Sequence, residues 1–361
     1  MKKRLLMLFA IVTGMATSTG YLQAQTASSK VVVQNKKNIL KSEENPKVIE
    51  KNGTAICFAN GHPVTVFQEG EWMVVKATDT NDTLHFKTLG AIFGGALAKE
   101  AAASSITLQS GTVGDIYGGG YGFKNDDGSI NYGDVTGKTA INIEGGTVSN
   151  LLVAGGQYYA RSREAEINVK NNVSVAYLFC GGYDEGKTGN TLETAFDDSN
   201  NRVLKTTVKM TGGTITGYIG CGGGQGRTYS QTTDVMLDGV SVANLYGIAS
   251  NGRSDNITMK ATSCTFTGEI ASLNRGRVEN LSMTFDKCTF NSVKGYLGAV
   301  AGWNNSDSGT SEAIPSVTGS VVYTFTNSTN NSATPVMQAG QGLDGANLTL
   351  TGAQAKITDF D

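Results

Sequence analysis

Histidine is almost missing from this 361-residue chain: His62 and His85 are the only two. They stand near one end, without the cysteine or histidine company that zinc sites need, and they read as polar surface residues. Imidazole catalysis and zinc chemistry therefore have little to build on. Proline is scarce too, at four, and charged residues make up only 17%. Five cysteines are too few for a disulfide scaffold in a chain of this length. No apolar run approaches the roughly 20 residues that a bilayer-spanning helix requires. What is abundant is glycine, at 47. Without matching proline it does not signal disorder, so it must serve turns and close backbone approach.

The first residues read as an export signal. Lys2, Lys3 and Arg4 precede an apolar stretch from Leu5 to Val12, and Leu22-Gln23-Ala24 closes the segment with a small residue at the cleavage position. The expected signal is 1–24, and the expected location is the periplasm, the cell surface or the extracellular space. Losing that signal removes three basic residues, leaving 26 basic against 31 acidic and a formal charge of −5. Such a surface does not attract polyanions over distance, so no nucleic acid or acidic lipid is expected as main partner. No integral membrane segment is expected after signal removal.

One pattern returns along the rest of the chain. An apolar, polar, apolar triplet leads through small residues to a further apolar position and often to a glycine cluster. Ile106 to Gly120 (ITLQSGTVGDIYGGG), Ile141 to Gly156 (INIEGGTVSNLLVAGG) and Val208 to Gly224 (VKMTGGTITGYIGCGGG) are the clearest copies. Weaker ones begin at Ile167, Val235, Ile257, Leu281, Val321 and Leu348, spaced from 22 to 41 residues. The longer spacings carry insertions after the glycine cluster: Tyr121 to Thr139, Tyr183 to Thr206 and Trp303 to Ser320. Period-two alternation means strands. Repeats of 22–27 residues with insertions at one place mean a solenoid. The leucine framework of a leucine-rich repeat is missing, and hairpin signals of a sandwich are not what recurs.

On that repeat length and on its Gly-Gly-Thr-Val and Gly-Gly-Gly runs, the chain resembles the pectin-lyase-like right-handed parallel β-helix superfamily, its glycine-rich bacterial surface and adhesin-like branch in particular. The expected fold is all-β, a single right-handed parallel β-helix over 81–361, preceded by a β cap over 54–80 and a polar linker over 25–53. Right-handedness is the rule for parallel crossovers. Cys264 and Cys288, each seven residues after a repeat start, are expected beside Val113, Val148, Ile215 and Val242 as buried thiols. Cys180 and Cys221, two after Leu178 and Ile219, share a second column.

Catalytic motifs are incomplete. Gly181 to Thr188 (GGYDEGKT) satisfies the P-loop spacing, yet Gly189-Asn190 follows where a phosphate-binding helix must begin. Hydrolases of the resembled superfamily imply an Asp-Asp, Gly-His-Gly and Arg-x-Lys set; only Asp197-Asp198 is present. Its lyases imply an acidic calcium site and a basic residue, for which Arg275 or Arg277 stand available. No catalytic or metal residue is assigned and no cofactor is expected. Ca²⁺ is the one ion that the acidic pairs Asp126-Asp127, Asp184-Glu185 and Asp197-Asp198 suit, though such pairs read first as solvated loop residues.

A binding surface has a better trace. Asp115, Asn150, Tyr177, Tyr218, Asn244, Glu269 and Tyr296 each precede an apolar position after the turn. Beside inward Ile116, Leu151, Leu178, Ile219, Leu245, Ile270 and Leu297 they should face outward, as a ladder of rings and hydrogen-bonding groups. The functional expectation is a non-catalytic, adhesin-like or glycan-binding exported protein with a polysaccharide or cell-surface partner. The alternatives are a β-helix polysaccharide lyase or glycoside hydrolase, and a passive spacer in an envelope assembly.

Overall fold

The structure is a computed structural model that describes residues 47–51, 54–170, 172–184, 188–189, 199–224, 228–250, 252–274, 276–299, 316–331, 337–338 and 355–358. The expected signal over 1–24, most of the linker, the Leu348 repeat, Asp197-Asp198, Arg275 and nearly all of the Trp303 insertion lie outside those residues. The described chain is all-β, with no helix long and apolar enough to cross a membrane.

Two long, mainly parallel sheets dominate, consistent with a β-solenoid. Sheet A holds 14 strands and sheet B 13, and the chain alternates between them. A circuit runs through Ser104–Leu108 in sheet B, a tight turn, Thr112–Tyr117 in sheet A, a glycine cluster and then Val135–Ile143 in sheet B. A third sheet, C, joins Tyr121–Lys124, Ile130–Asn131 and Gln157–Tyr158. Two of its three strands come from the first insertion. The sheets are separate hydrogen-bonded units rather than one closed wall.

Parallel in-register pairing turns every repeat position into a column. In sheet B, Val64, Ile106, Ile141, Ile167, Val208 and Val235 are successive partners. Beyond Val235 the column passes to Met259, Met283 and Tyr323, not to Ile257, Leu281 and Val321 as the sequence spacing predicts. The register is two residues further on, because Ile257, Met259 and Ala261 are all apolar and inward. A shift of two leaves side chains on the same face, so hydrophobic pattern cannot separate the two registers.

The same shift moves the cysteines. Val242 pairs with Phe266 and Phe266 with Phe290, so phenylalanines continue the Val148 column. Cys264 and Cys288 sit one pleat earlier, in the turn: Thr265 N donates to Val240 O, Thr289 N to Cys264 O and Thr329 N to Cys288 O.

One core fills the space between sheets A and B. It is aliphatic around Ile141, Val148, Leu152 and Leu178 and becomes aromatic toward the C-terminal side. There Phe266 stacks on Phe290 at 5.4 Å and Phe285 on Phe325 at 5.0 Å. Glycine clusters let backbones stack at the turn out of sheet A. A Cβ on Gly119 would stand 2.6 Å from the Gly156 amide nitrogen, and backbone cannot yield.

Toward the N-terminal side the strand direction reverses. Thr54–Phe58 runs parallel to Thr88–Phe93 but antiparallel to Lys47–Lys51. Pro63–Glu69 is parallel to Ser104–Leu108 and antiparallel to Trp72–Ala77, which pairs with Thr83–Phe86. The segment read as a cap thus holds the first strand of each parallel stack together with the hairpin that closes sheet B.

Val148 is fully buried, whereas Asn142 sits half-exposed and accepts a hydrogen bond from Asn168. Val148→Asp should cost several kcal/mol by burying an unpaired carboxylate. Asn142→Asp should cost under about 1 kcal/mol. Thermal melts compare the two, and equal melting temperatures would refute this register.

Candidate functional site

The outward ladder on sheet A exists, with two changes of membership. Tyr177 pairs with Tyr218 and Tyr218 with Asn244, while Glu269 N donates to Asn244 Oδ1. Asn150 leaves the column. Thr147–Val153 carries one residue more than its neighbours, so Leu151 stands opposite Tyr177 and Leu152, not Leu151, points into the core. Tyr296 leaves it as well: Glu269 pairs with Lys294, and Tyr296 is the partner of Ala271. A bulge inserts a residue without changing the hydrophobic pattern on either side, so neither shift shows in the spacing.

The polar members spend their groups on one another. Asn150 Nδ2 and Leu151 N both donate to Asp115 Oδ1, at 2.8 and 3.1 Å. Asn244 Nδ2 donates to Gly217 O at 2.9 Å, and Tyr246 OH to Glu269 Oε2 at 2.8 Å. These bonds tie successive turns across the bulges. Tyr177 and Tyr218 lie 4.8 Å apart with planes tilted by 60°, which is not a flat platform. Tyr218 packs against Phe179 and Tyr246, at 5.4 and 5.7 Å. Burial, with Tyr177 nearby, pushes its phenol well above the ordinary range.

Two residues further along each strand runs an aromatic row that the sequence reading passed over. Phe58, Phe93 and Tyr117 stack at 4.8 and 4.4 Å; Phe179 and Tyr246 continue the column. Tyr121, Tyr158, Tyr159 and Tyr183 join this row in a second hydrophobic cluster. Sheet A is therefore buried on both faces over much of its length. The signal was legible as Phe or Tyr just before most small-residue turns, with Val153 and Gly220 taking the place in two of them.

An open cleft lies elsewhere, at the start of the sheet B strands. It measures about 440 Å³ and is lined by Glu100, Asp134, Arg161, Ser162, Arg163 and Arg202, among others. Arg161 Nε and Nη2 donate to Asp134 Oδ2 at 2.8 and 2.5 Å. Its guanidinium lies over the Tyr132 ring, 3.8 Å from the centroid. Burial works against the Arg161 charge, and the bonded Asp134 carboxylate more than offsets it, holding the group above its ordinary value. The Ser162 hydroxyl is buried without a hydrogen-bond partner among the described residues. Tyr132 OH donates to Asn200 Oδ1 at 2.8 Å, bracing the wall with the second insertion.

Among the described residues no three His, Cys, Asp or Glu side chains gather as metal ligands. Asp127 is held below the usual carboxylate range by Ser129, which donates to it from hydroxyl and amide. Asp184, buried, accepts from the Thr188 hydroxyl and amide; Glu185 lies outside the described residues. Thr188, the last residue of the P-loop-like run, thus closes a local turn. His62 binds Asp79 at 2.7 Å, and Arg277 opens a sheet B strand.

All five cysteines are free and buried. Burial raises Cys57 and Cys221 from 9.0 to about 12, and Cys288 rises because its thiol hydrogen-bonds the Cys264 sulfur.

Comparison with family models, with curated proteins and with solved structures finds no match to this chain.

Three outcomes are expected. Iodoacetamide at pH 8 should leave the native thiols unmodified and label all five in denaturant, as mass spectrometry will count. Because Cys57 and Cys221 keep their protons to higher pH when folded, stability should fall as pH rises from 9 toward 12. Tyr218→Ala should lower stability by about 2–4 kcal/mol through lost ring packing, and Tyr218→Phe by under about 1 kcal/mol; chemical denaturation reads both.

Proposed function

We propose that this chain is an exported, non-catalytic β-solenoid of the pectin-lyase-like kind, wound as a single right-handed helix, that binds glycans at or beyond the cell surface. The observation that carries the reading is the cleft beside Arg161. Planar guanidinium forks at the strand starts Arg161 and Arg202 meet there the carboxylates of Glu100 and Asp134 and, over Arg161, the Tyr132 ring, all three from segments leading into sheet B strands. Such a mixture suits a sugar, whose hydroxyls both donate and accept. The volume lies within the usual range of small-ligand sites, about 300–1,000 Å³.

Binding is favoured over hydrolysis by the state of the carboxylates. Asp134 already accepts both hydrogen bonds from Arg161, and Glu100 is exposed. A glycoside hydrolase needs a pair of carboxyl groups that both act on the scissile bond, and Asp134 is already engaged by the Arg161 guanidinium. The sheet A ladder is the weaker candidate, its polar atoms being engaged across the bulges.

The purified chain, incubated with a panel of acidic and neutral polysaccharides, should retain at least one without turnover. New reducing ends or unsaturated products would make it a lyase or hydrolase. Neither retention nor product would leave an envelope spacer.

A further inference from the structure

Where the sheet B strands Arg202–Thr211, Tyr229–Asp238 and Arg253–Thr262 begin, the inner corner beneath the glycine turns is polar rather than apolar. Asn201 and Thr228 stand on successive rungs, since Tyr229 N donates to Asn201 O and Arg253 N to Thr228 O. Ser230 pairs with Ser254 in the next inward column, and Thr233 follows Ser230 on the same strand. None of the five is more than 1% exposed. Asn201 Oδ1 and the hydroxyls of Thr228, Ser230, Thr233 and Ser254 nevertheless have no hydrogen-bond partner among the described residues. Leaving such atoms unbonded is destabilising, and native interiors pair the large majority of them. The turn is shaped to admit them. A Cβ on Gly182 would lie 1.8 Å from Asn201 Oδ1, one on Gly223 1.5 Å from Thr228 Oγ1, and one on Gly181 2.4 Å from Ser230 Oγ. Gly181 and Gly182, which open the P-loop-like run, thus face side-chain oxygens. Carbonyls around the corner are already taken: Gly182 O by Gly224 N, Tyr183 O by Asn201 Nδ2 and Cys180 O by the Thr206 hydroxyl.

We propose that this corner binds a short file of water molecules, held by Asn201, Thr228, Ser230, Thr233 and Ser254 as an internal part of the fold. The chemistry of the five groups selects the occupant. Each hydroxyl needs an acceptor for its proton, and Asn201 Oδ1 needs a donor. A metal ion would engage the oxygens but accept no proton, and the carboxylate of Asp184, next to Tyr183, is taken by the Thr188 hydroxyl and amide. An apolar group would satisfy none of the five. Water donates and accepts, and a polar site offering about two to four partners is where it is held. Neighbouring rungs lie about 4.8 Å apart, a gap that one molecule bonded at about 2.8 Å to each side can bridge. Val203 stands in the Ser230 column between Ser230 and Ser162, the hydroxyl that lines the cleft. The file is therefore set apart from whatever the cleft binds.

Magnetic relaxation dispersion of the solvent, measured on the purified chain, reads long-lived internal waters directly. Its amplitude should fall in Thr228→Val and in Ser254→Ala; amplitudes equal to that of the unmodified chain would refute the file. Thermal melts distinguish a wet corner from a dry one by sign. Thr228→Val and Thr233→Val exchange a hydroxyl for a methyl of similar size. With water bound, each variant loses a hydrogen bond and its melting temperature should fall by a few degrees. In a dry corner each removes an unpaired group, and a rise for both would overturn the proposal. Melts in sodium, potassium, calcium and choline chlorides at matched ionic strength should coincide. A rise with one metal alone would make the occupant a cation and overturn it as well. Should a variant fail to fold, the unmodified chain still decides. A high-resolution crystal structure should show solvent density within hydrogen-bond reach of Asn201 Oδ1 and Ser230 Oγ, and a corner without density would refute the file.

Discussion

Everything in this molecule follows from in-register parallel backbone pairing. Once Ile141 bonds alongside Ile106 and Ile167, each position of one turn lies directly over the same position of the next. Side chains become columns, and each column must satisfy one condition along its length. Inward columns carry apolar groups or hydroxyls: in one of them Ser104, Thr139 and Thr206 donate to the Gly118, Ala154 and Cys180 carbonyls, while Thr233, the partner of Thr206, has no hydrogen bond among the described residues. Turn columns admit glycine or a small side chain, which is why Val240, Cys264 and Cys288 can succeed one another.

Column logic also explains what the sequence could and could not say. Strand identity, the alternation of faces and the coil length were all visible, because burial repeats with period two and the turns carry glycine. Register was visible only to within two residues. Met259 could not be told from Ile257 as the partner of Val235, since both are apolar and both face inward. Bulges were invisible for the same reason: Ser149-Asn150 and Thr216-Gly217 add a residue in a polar stretch whose length no core contact constrains. The tyrosine ladder was therefore found at Tyr177 and Tyr218 and lost at Asn150 and Tyr296.

Arg161, Arg202, Arg253 and Arg277 share one column at the starts of sheet B strands, with Tyr229 on the rung between Arg202 and Arg253, and this arginine column escaped notice for a different reason. Spacings between Arg161, Arg202, Arg253 and Arg277 vary with the insertions between them, so no motif search would join them. Only the pairing of strand starts brings them together. The aromatic row on sheet A teaches the converse. Phe58, Phe93 and Tyr117 repeat plainly, but an outward position is assumed to meet solvent unless the first insertion is known to fold back as sheet C. Covering that face turns sheet A into a doubly buried layer, typical of parallel sheets, and leaves the outer face of sheet B as the more exposed one.

The reversal of strand direction at the N-terminal side has a consequence for self-association. A parallel stack is its own template: any exposed terminal turn offers a second copy the pattern on which the chain itself was built, as in fibrils. Lys47–Lys51 runs against the stack in sheet A, whereas in sheet B Trp72–Ala77 runs against it and the outermost Thr83–Phe86 runs with it again. An incoming coil that matches Thr83–Phe86 in sheet B therefore meets the wrong strand polarity at Lys47–Lys51 in sheet A. The two sheets are stopped by different devices, one strand for A and two for B, so the ends are also uneven in height. No single turn of a second copy satisfies both edges, and head-to-tail polymerisation is opposed here by chain polarity and step height together, whatever side chains decorate the edge.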